Sequence, residues 1–222
     1  MKKHWFVEMR LVQFMINNFM IDNYMKFLFV VLCFIIALGS YWFRHSKRDW
    51  GYLNIAMGFT VVSDYLLLIA HNNLAGVFTF CFVHIAYILR VTRNKERSLS
   101  LIAASICGGA ISLSLFTFVP ALHRIDPLIV VGLVYASLFI QNLVAHIQYF
   151  RNDGSNRWIM LLGLILFALC DIHVLMFNLH QFIIVPPEIG IWGRMWIWVF
   201  YAPSQVLLSI SAVRWKVNDP IH

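Results

Sequence analysis

The sequence predicts one all-α domain over residues 1–222, a polytopic transmembrane bundle of about eight helices, and two observations support this prediction. The chain is 61% hydrophobic and only 12% charged, whereas soluble domains average about 25% charged residues. Apolar runs of about 20 residues, long enough to cross a bilayer, recur along almost the whole chain. The short alternating segments typical of a transmembrane β-barrel are not seen.

Seven apolar segments qualify as spans, and the charge of the loops between them alternates. The spans are residues 24–43, 52–71, 74–90, 99–119, 127–149, 157–178 and 193–213. Basic residues follow every second span: Arg44, Lys47 and Arg48; Arg90, Arg93, Lys95 and Arg97; Arg151 and Arg157; Arg214 and Lys216. The other loops hold only Arg124 and Arg194. Because cytoplasmic loops carry an excess of Lys and Arg, we expect a multi-pass protein of the plasma or inner membrane with a cytoplasmic C-terminus.

Residues 1–23 have two interpretations. The apolar stretch 5–22 contains Glu8 and Arg10, so it either forms a first transmembrane helix or lies amphipathically in the membrane interface. If it crosses, Lys2 and Lys3 are cytoplasmic and the charge rule holds throughout the chain. We therefore favour eight crossings. The same polar residues argue against a cleavable signal peptide.

Composition also limits the partners. The net charge of +7 does not indicate nucleic acid, because the basic residues are spread among short loops. The cysteines are isolated in apolar segments and lack CxxC spacing, so they are expected to be small buried hydrophobes: Cys33, Cys81, Cys107 and Cys170. The expected partner is the lipid bilayer, no cofactor is indicated, and the sequence leaves the oligomeric state open.

Two local features indicate how the helices pack. Gly108 and Gly109 lie in the fourth span, where small residues allow helices to approach closely. Pro203, within the last span, removes one helix hydrogen bond and leaves the carbonyl of Val199 free. A free carbonyl at membrane depth needs a neighbour or water, which predicts a polar cavity near Pro203.

Two carboxylates are the strongest functional signal. Of the ten acidic residues, only Asp64 and Asp171 lie inside long apolar stretches. A carboxylate at membrane depth costs about 2.5–3.5 kcal/mol, so it needs a partner, a water-filled cavity or a proton. With a rise of about 1.5 Å per residue, both lie roughly two-thirds of the way outward along their spans. We therefore expect one shared polar site.

Four further polar residues fall in the same layer. His84 and Tyr87 are three residues apart and Tyr201 and Gln205 are four apart, so each pair shares a helix face. Taken alone, each residue has an ordinary structural explanation, as a packing histidine, an interface aromatic residue or an interhelical hydrogen-bonding group. Their agreement in depth with the two aspartates makes them candidates.

A metal site is an alternative use of the same layer, since Asp64, His84 and Asp171 would supply three ligands. The sequence has no HxxxH or HExxH pattern, so we expect no metal. Two other histidines are left out of the site. We expect His146 at the cytoplasmic interface, and His173 is two residues from Asp171 and points elsewhere.

Three segments of the chain resemble the YhhN-like family of integral membrane lysoplasmalogenases, over about residues 24–213. They are Gly58-x4-Ser63-Asp64-x2-Leu67 followed by Gly76-x3-Phe80-x3-His84-x2-Tyr87; Leu166-Phe167-x3-Asp171; and Tyr201-x3-Gln205. Family members usually place glycine before the first aspartate and serine before the second, where this chain has Ser63 and Cys170.

The resemblance implies an eight-helix bundle that hydrolyses the vinyl-ether bond of lysoplasmalogens. The products would be a fatty aldehyde and glycerophospho-ethanolamine or -choline. A vinyl ether resists base but yields to acid, because protonation of its β-carbon gives an oxocarbenium ion, and two carboxylates divide the roles for a similar cation in glycoside hydrolysis. Asp64 and Asp171 are then the predicted acid/base pair. The residues expected to orient this pair, a water or the glycerol hydroxyl are His84, Tyr87, Tyr201 and Gln205.

Two other functions stay open at this point. Buried aspartates and a helix broken by Pro203 also suit a proton-linked transporter, although the chain has no second broken helix in a repeat-related position. A lipid-binding bundle without enzymatic activity is the other non-catalytic possibility. The same site would also suit another ether- or ester-lipid hydrolase.

Overall fold

Seven helices build the described part of the chain and confirm the all-α prediction. A computed structural model describes residues 22–44, 46–92, 95–116, 126–153, 158–178 and 186–213. The helices are α1 (Asp22–Phe43, with Ser40–Phe43 as a 3-10 turn), α2 (Lys47–Asp64), α3 (Asn73–Val91), α4 (Lys95–Phe116), α5 (Pro127–Asp153), α6 (Trp158–Asn178) and α7 (Pro187–Ile210). The possible N-terminal helix at residues 5–22 lies almost wholly outside the described residues.

Five of these helices are long and apolar enough to cross a membrane, as expected of an integral membrane protein. They are α1, α2 with its continuation to Ile69, α3, α5 as far as Tyr149, and α6. Helices α4 and α7 contain 22 and 24 residues, which at about 1.5 Å per residue is enough for a bilayer core of about 30 Å. Their crossing stays a prediction, as does the side of the membrane that the C-terminus faces.

The helices pack in two groups. Helices α2, α3 and α5 lie side by side with α4 against α5, and α6 and α7 form a closely packed antiparallel pair. Contacts between the groups, α5 with α6 and α2 with α7, are sparse. Two seams therefore run between the groups, and polar side chains cross both of them.

Helix α1 lies antiparallel to α2 and beside α7. The Asn23 amide donates to the Leu68 carbonyl at 3.2 Å, and the Phe27 and Tyr65 rings lie 5.9 Å apart. Toward the other end, the Trp50 indole donates to the Ala37 carbonyl at 3.1 Å. The Phe29 ring is 6.4 Å from Trp198 of α7. These contacts place the first turns of α1 level with the end of α2.

Glycines set the register between α6 and α7. A Cβ on Gly163 would lie 3.0 Å from Leu208 Cγ, and a Cβ on Gly193 would lie 2.7 Å from the His173 carbonyl oxygen. Both glycines thus stand directly against the opposite helix. In an antiparallel pair this register brings Asp171 level with the turn of α7 that holds Tyr201. Gly109, expected at a close approach, likewise has Val134 Cγ2 of α5 2.7 Å from its missing Cβ.

Gly193→Ala should loosen the α6–α7 pair. Its new methyl group would lie 2.6 Å from the Phe177 backbone nitrogen, and a backbone atom cannot move aside as a side chain can. We expect a loss of about 1–3 kcal/mol of unfolding free energy, typical of overpacking, seen as a lower melting temperature in detergent. Gly132→Ala is the control, because no atom lies within 4 Å of its missing Cβ. Equal melting temperatures for the two variants would contradict the proposed close contact.

An ion pair joins α2 and α3 at the end of the bundle that lies opposite the first turns of α1. The Arg90 guanidinium donates from Nε and Nη2 to the two carboxylate oxygens of Asp49, each at 2.9 Å. Its Nη1 also donates to Ser211 Oγ at 2.8 Å and contacts Met160 Sδ at 2.8 Å. Arg90 was assigned to a basic loop from the sequence, but it is a buried residue in the last turn of α3. The hydropathy pattern missed this because Arg90 follows the apolar run directly.

The same end of the bundle holds the connection between α1 and α2. Arg44 pairs with Val213 in an isolated antiparallel bridge just after α7. The α1–α2 connection, the end of α3 and the end of α7 therefore lie together. This agrees with the grouping of their basic residues on one side of the membrane.

Candidate active site

Asp64 is the last residue of regular α2, and the chain continues as the π-helical segment Tyr65–Ile69. Such wide turns are rare and occur frequently at functional sites, because they change the direction of the neighbouring side chains. Asp64 is 4% exposed. Its Oδ2 accepts a hydrogen bond from the hydroxyl of Tyr201, which lies across the α2–α7 seam. The structure thus joins two residues that the sequence had placed in one layer.

Asp171 has an equivalent arrangement on α6. Its Oδ2 accepts a hydrogen bond of 2.6 Å from the hydroxyl of Tyr135, which lies on α5. This bond crosses the second seam, between α5 and α6. Asp171 is partly buried, so it is more accessible from outside the bundle than Asp64. Tyr135 was not among the predicted site residues.

The two aspartates lie in one layer of the bundle. The α6–α7 register puts Asp171 level with Tyr201, and Tyr201 is bonded to Asp64. The expectation that the two carboxylates share a layer is consistent with these contacts.

Aromatic rings of α3, α5 and α7 pack around Phe167 of α6. The Phe167 ring is 5.8 Å from each of Tyr201, His84 and Phe80, and 5.9 Å from Phe139. Phe167 itself is 2% exposed. These rings form one aromatic wall that reaches from His84 to Tyr201, the tyrosine bonded to Asp64.

His84 is completely buried beside this wall. The side-chain amide of Asn142 is hydrogen-bonded to His84 Nδ1 at 3.1 Å. The other ring nitrogen, Nε2, has no hydrogen-bond partner among the described residues. The ring lies 4.9 Å from the ring of Tyr135, so His84 is one ring away from the tyrosine that bonds Asp171.

Two predicted residues lie deeper in the bundle. The Tyr87 hydroxyl contacts Met57 Sδ at 3.8 Å, so among the described residues its contact is with a thioether rather than an aspartate. Gln205 is 1% exposed, one turn of α7 beyond Tyr201, and neither atom of its amide has a hydrogen-bond partner in the described part of the chain. Gln205 is therefore free to bind a small polar group, whereas Tyr87 supports the packing below the site.

Helix α5 contributes the residues that the sequence reasoning missed. Tyr135 and Asn142 lie seven residues apart and His146 four residues further, so all three share one face. His146, expected at the interface, is 5% exposed, and its Nδ1 is 2.9 Å from the Asn142 carbonyl oxygen. His146 is thus buried between helices, and its depth relative to the membrane stays a prediction. The regular spacing of these polar residues was the signal that would have revealed this face.

Pro203 lies on the outward face of α7. Pro203 and Val199 are both exposed, whereas Tyr201 and Gln205 are buried on the opposite face. The carbonyl freed by the proline is therefore turned away from the site. The polar cavity expected near Pro203 does not correspond to the layer of the two aspartates.

The described residues contain no group of three or more His, Cys, Asp or Glu side chains arranged to hold a metal ion. His84 instead pairs with Asn142, and each aspartate accepts from a tyrosine. The alternative in which Asp64, His84 and Asp171 form a three-ligand site is not supported by this geometry.

Comparison with known proteins gives one result. The model of the YhhN family matches residues 22–212. This range covers all seven helices and every site residue described above. Searches among curated proteins and among solved structures gave no match.

Proposed function

The chain belongs to the YhhN family, whose members are lysoplasmalogenase-like, and we propose that it hydrolyses the vinyl-ether bond of lysoplasmalogens with Asp64 and Asp171 as an acid/base pair. The observation that carries this proposal is that each aspartate is hydrogen-bonded to a tyrosine of a neighbouring helix. Each carboxylate lies in the same layer of the bundle and accepts one hydrogen bond from a tyrosine across a helix seam. An acid-labile substrate needs two such groups.

The reaction begins with proton transfer to carbon. One carboxylic acid protonates the β-carbon of the vinyl ether, the π electrons form the new C–H bond, and the positive charge is shared between the α-carbon and the ether oxygen. The carboxylate left behind stabilises this oxocarbenium ion electrostatically. A proton donor and a negative charge are therefore needed in one place at successive moments.

Water completes the reaction. The second carboxylate removes a proton from a water molecule as the water oxygen attacks the α-carbon and forms a hemiacetal. The hemiacetal then gives its hydroxyl proton to the first carboxylate and breaks its bond to the glycerol oxygen, which takes the proton held by the second carboxyl group. A fatty aldehyde is released, and both carboxyl groups return to their starting states. The unpartnered amide of Gln205 and the Nε2 of His84 are the groups we assign to orienting the water or the glycerol hydroxyl.

The direct test is aldehyde release. Purified protein is incubated in neutral detergent micelles with an ethanolamine lysoplasmalogen and, separately, with the ester lysophospholipid of the same chain length. Aldehyde from the vinyl-ether lipid and no fatty acid from the ester is the expected result. Binding of the vinyl-ether lipid without turnover would favour the non-enzymatic alternative, and fatty-acid release would indicate another lipid hydrolase.

Removing the tyrosine hydroxyls should slow the reaction without stopping it. Tyr201→Phe and Tyr135→Phe each delete one hydrogen bond to a carboxylate, and bonds to charged groups contribute about 1.5–3 kcal/mol. We therefore expect kcat to fall roughly 10- to 100-fold in each variant. Tyr65→Phe is the matched control, since Tyr65 follows Asp64 directly but is 48% exposed. Full activity in both tyrosine variants would remove them from the site.

A further inference from the structure

A positive charge lies at the edge of the proposed site, on α1, a helix that supplies none of the candidate site residues. Lys26 of α1 has its Nζ 5.3 Å from the centre of the Trp198 ring. The Trp198 ring is in turn 5.2 Å from the ring of Tyr201, whose hydroxyl donates to Asp64. Two ring contacts thus connect the ammonium group to the tyrosine that holds a proposed catalytic carboxylate.

The position of Lys26 follows from the packing of α1. Asn23 bonds the Leu68 carbonyl and Phe27 packs on Tyr65, so the antiparallel register puts Lys26 level with the end of α2. That is the depth of Asp64. A lysine inside an apolar helix is costly, and such residues mark ligand or ion pathways by default. Its side chain reaches outward to Asp22, one turn earlier on the same helix.

The other basic residues do not compete for this role. Apart from Lys26 and Arg194, the lysines and arginines of the described residues lie at the opposite end of the bundle: Arg44, Lys47, Arg48, Arg90, Lys95, Arg97 and Arg151. Arg194 lies seven residues before Tyr201 on α7, which is roughly 10 Å further outward. Among the lysines and arginines that the structure describes, Lys26 is thus the one connected to the aspartate layer through Trp198 and Tyr201.

We propose that Lys26, seated on Trp198, binds the phosphate of the lysophospholipid and selects substrates that carry one; this inference rests on the proposed function. In such a lipid the ether oxygen and the phosphate are attached to opposite ends of one three-carbon glycerol unit. A phosphate held near two aspartates needs a compensating cation, since like charges at short range repel. Lysine binds phosphate as a point charge.

The present partner of Lys26 leaves room for such a ligand. An ammonium group has three hydrogen-bond donors, and the ion pair with Asp22 uses one of them. The Lys26 side chain is 25% exposed and that of Asp22 is 50% exposed. The pair is therefore open to a polar head group arriving from outside the bundle.

The test compares substrates with and without phosphate. Lys26→Gln should raise KM for an ethanolamine lysoplasmalogen about tenfold, the effect of losing one bond to a charged group, and change kcat little. KM for the matching 1-alkenylglycerol, which has no phosphate, should stay unchanged. Lys26→Arg keeps the charge and should restore most of the lost affinity. Lys47→Gln, a lysine replaced at the other end of the bundle, should behave as the unmodified protein.

Two outcomes would overturn the proposal. An equal rise of KM for both substrates would make Lys26 a packing residue. An equal effect of Asp22→Asn would make the ion pair, rather than a bound phosphate, the reason for the lysine. Binding of non-hydrolysable alkyl-ether analogues, with and without phosphate, gives the same comparison through dissociation constants. That measurement tests Lys26 even if no aldehyde is released, so failure here is distinguishable from failure of the proposed reaction.

Discussion

We expect Asp64→Asn and Asp171→Asn each to abolish aldehyde release while the protein still folds. Asparagine has nearly the same shape as aspartate, and its carbonyl oxygen still accepts the hydrogen bond from Tyr201 or Tyr135. It carries neither a transferable proton nor a negative charge. General acid–base groups contribute about 10²- to 10⁴-fold each, so the rate should fall by at least 100-fold, measured as aldehyde formed per minute by purified protein.

Stability separates a catalytic aspartate from a structural one. Burying a carboxylate in a bilayer is unfavourable, and removing a group kept for function often leaves stability unchanged or improves it. Both variants should therefore melt in detergent at the temperature of the unmodified protein or above it. A variant that is both inactive and strongly destabilised would instead indicate that its carboxylate holds the helices together.

A surface aspartate supplies the control. Asp126 lies exposed before α5, where its Oδ1 accepts the Leu128 backbone N–H at 2.8 Å. Asparagine serves such a position about as well as aspartate does, so Asp126→Asn should retain full activity. If either Asp64→Asn or Asp171→Asn also kept more than half of the activity, the acid/base pair would be contradicted.

The order of the seven described helices was predictable because apolar length fixes it, but their ends were not. The second span was predicted from residue 52, whereas α2 begins at Lys47. Hydropathy places the start of a helix at its first apolar residues, so it leaves out a polar first turn. That turn of α2 contains Asp49, which binds Arg90 of α3. The last span was predicted from residue 193, whereas α7 begins at Pro187. Proline is well tolerated in the first turn of a helix.

The sequence identified candidate site residues whose charge is costly to bury, or which belong to a motif beside such a residue. Asp64 and Asp171 were identified because a charge in an apolar helix is costly, and Tyr201 because it belongs to a short motif beside them. Tyr135 is neutral and carries no comparable signal. Its bond to Asp171 joins residues 36 positions apart, and only tertiary packing decides which helix faces are brought together.

Lys26 was missed for a related reason. It lies in the first turns of a span, where a lysine resembles an ordinary interfacial residue that extends toward water. Only the position of α1 against the end of α2, through Asn23 and Leu68, shows that it lies at the depth of an aspartate. The depth of a charge within the bundle therefore depends on which helix lies beside it.

The largest effect on stability is expected from Arg90→Met. The Arg90 side chain is 2% exposed and that of Asp49 is 20% exposed. The substitution removes the guanidinium that binds both oxygens of Asp49. Breaking a buried ion pair by removing one partner typically costs about 3–5 kcal/mol. The guanidinium bonds to Asp49 and Ser211 and the contact with Met160 are lost together. Denaturant unfolding in detergent micelles would measure the loss.

A double variant tests whether the loss of unfolding free energy comes from the charge of Asp49, which the single variant separates from Arg90. Arg90→Met combined with Asp49→Leu removes both charges, and apolar replacement of a whole buried pair is often neutral, so most of the lost stability should return. A double variant as unstable as the single one would instead assign the cost to lost packing around Ser211 and Met160. Arg90 lies six residues beyond His84, roughly 9 Å further along α3. The folded fraction of either variant should therefore keep the KM of the unmodified protein.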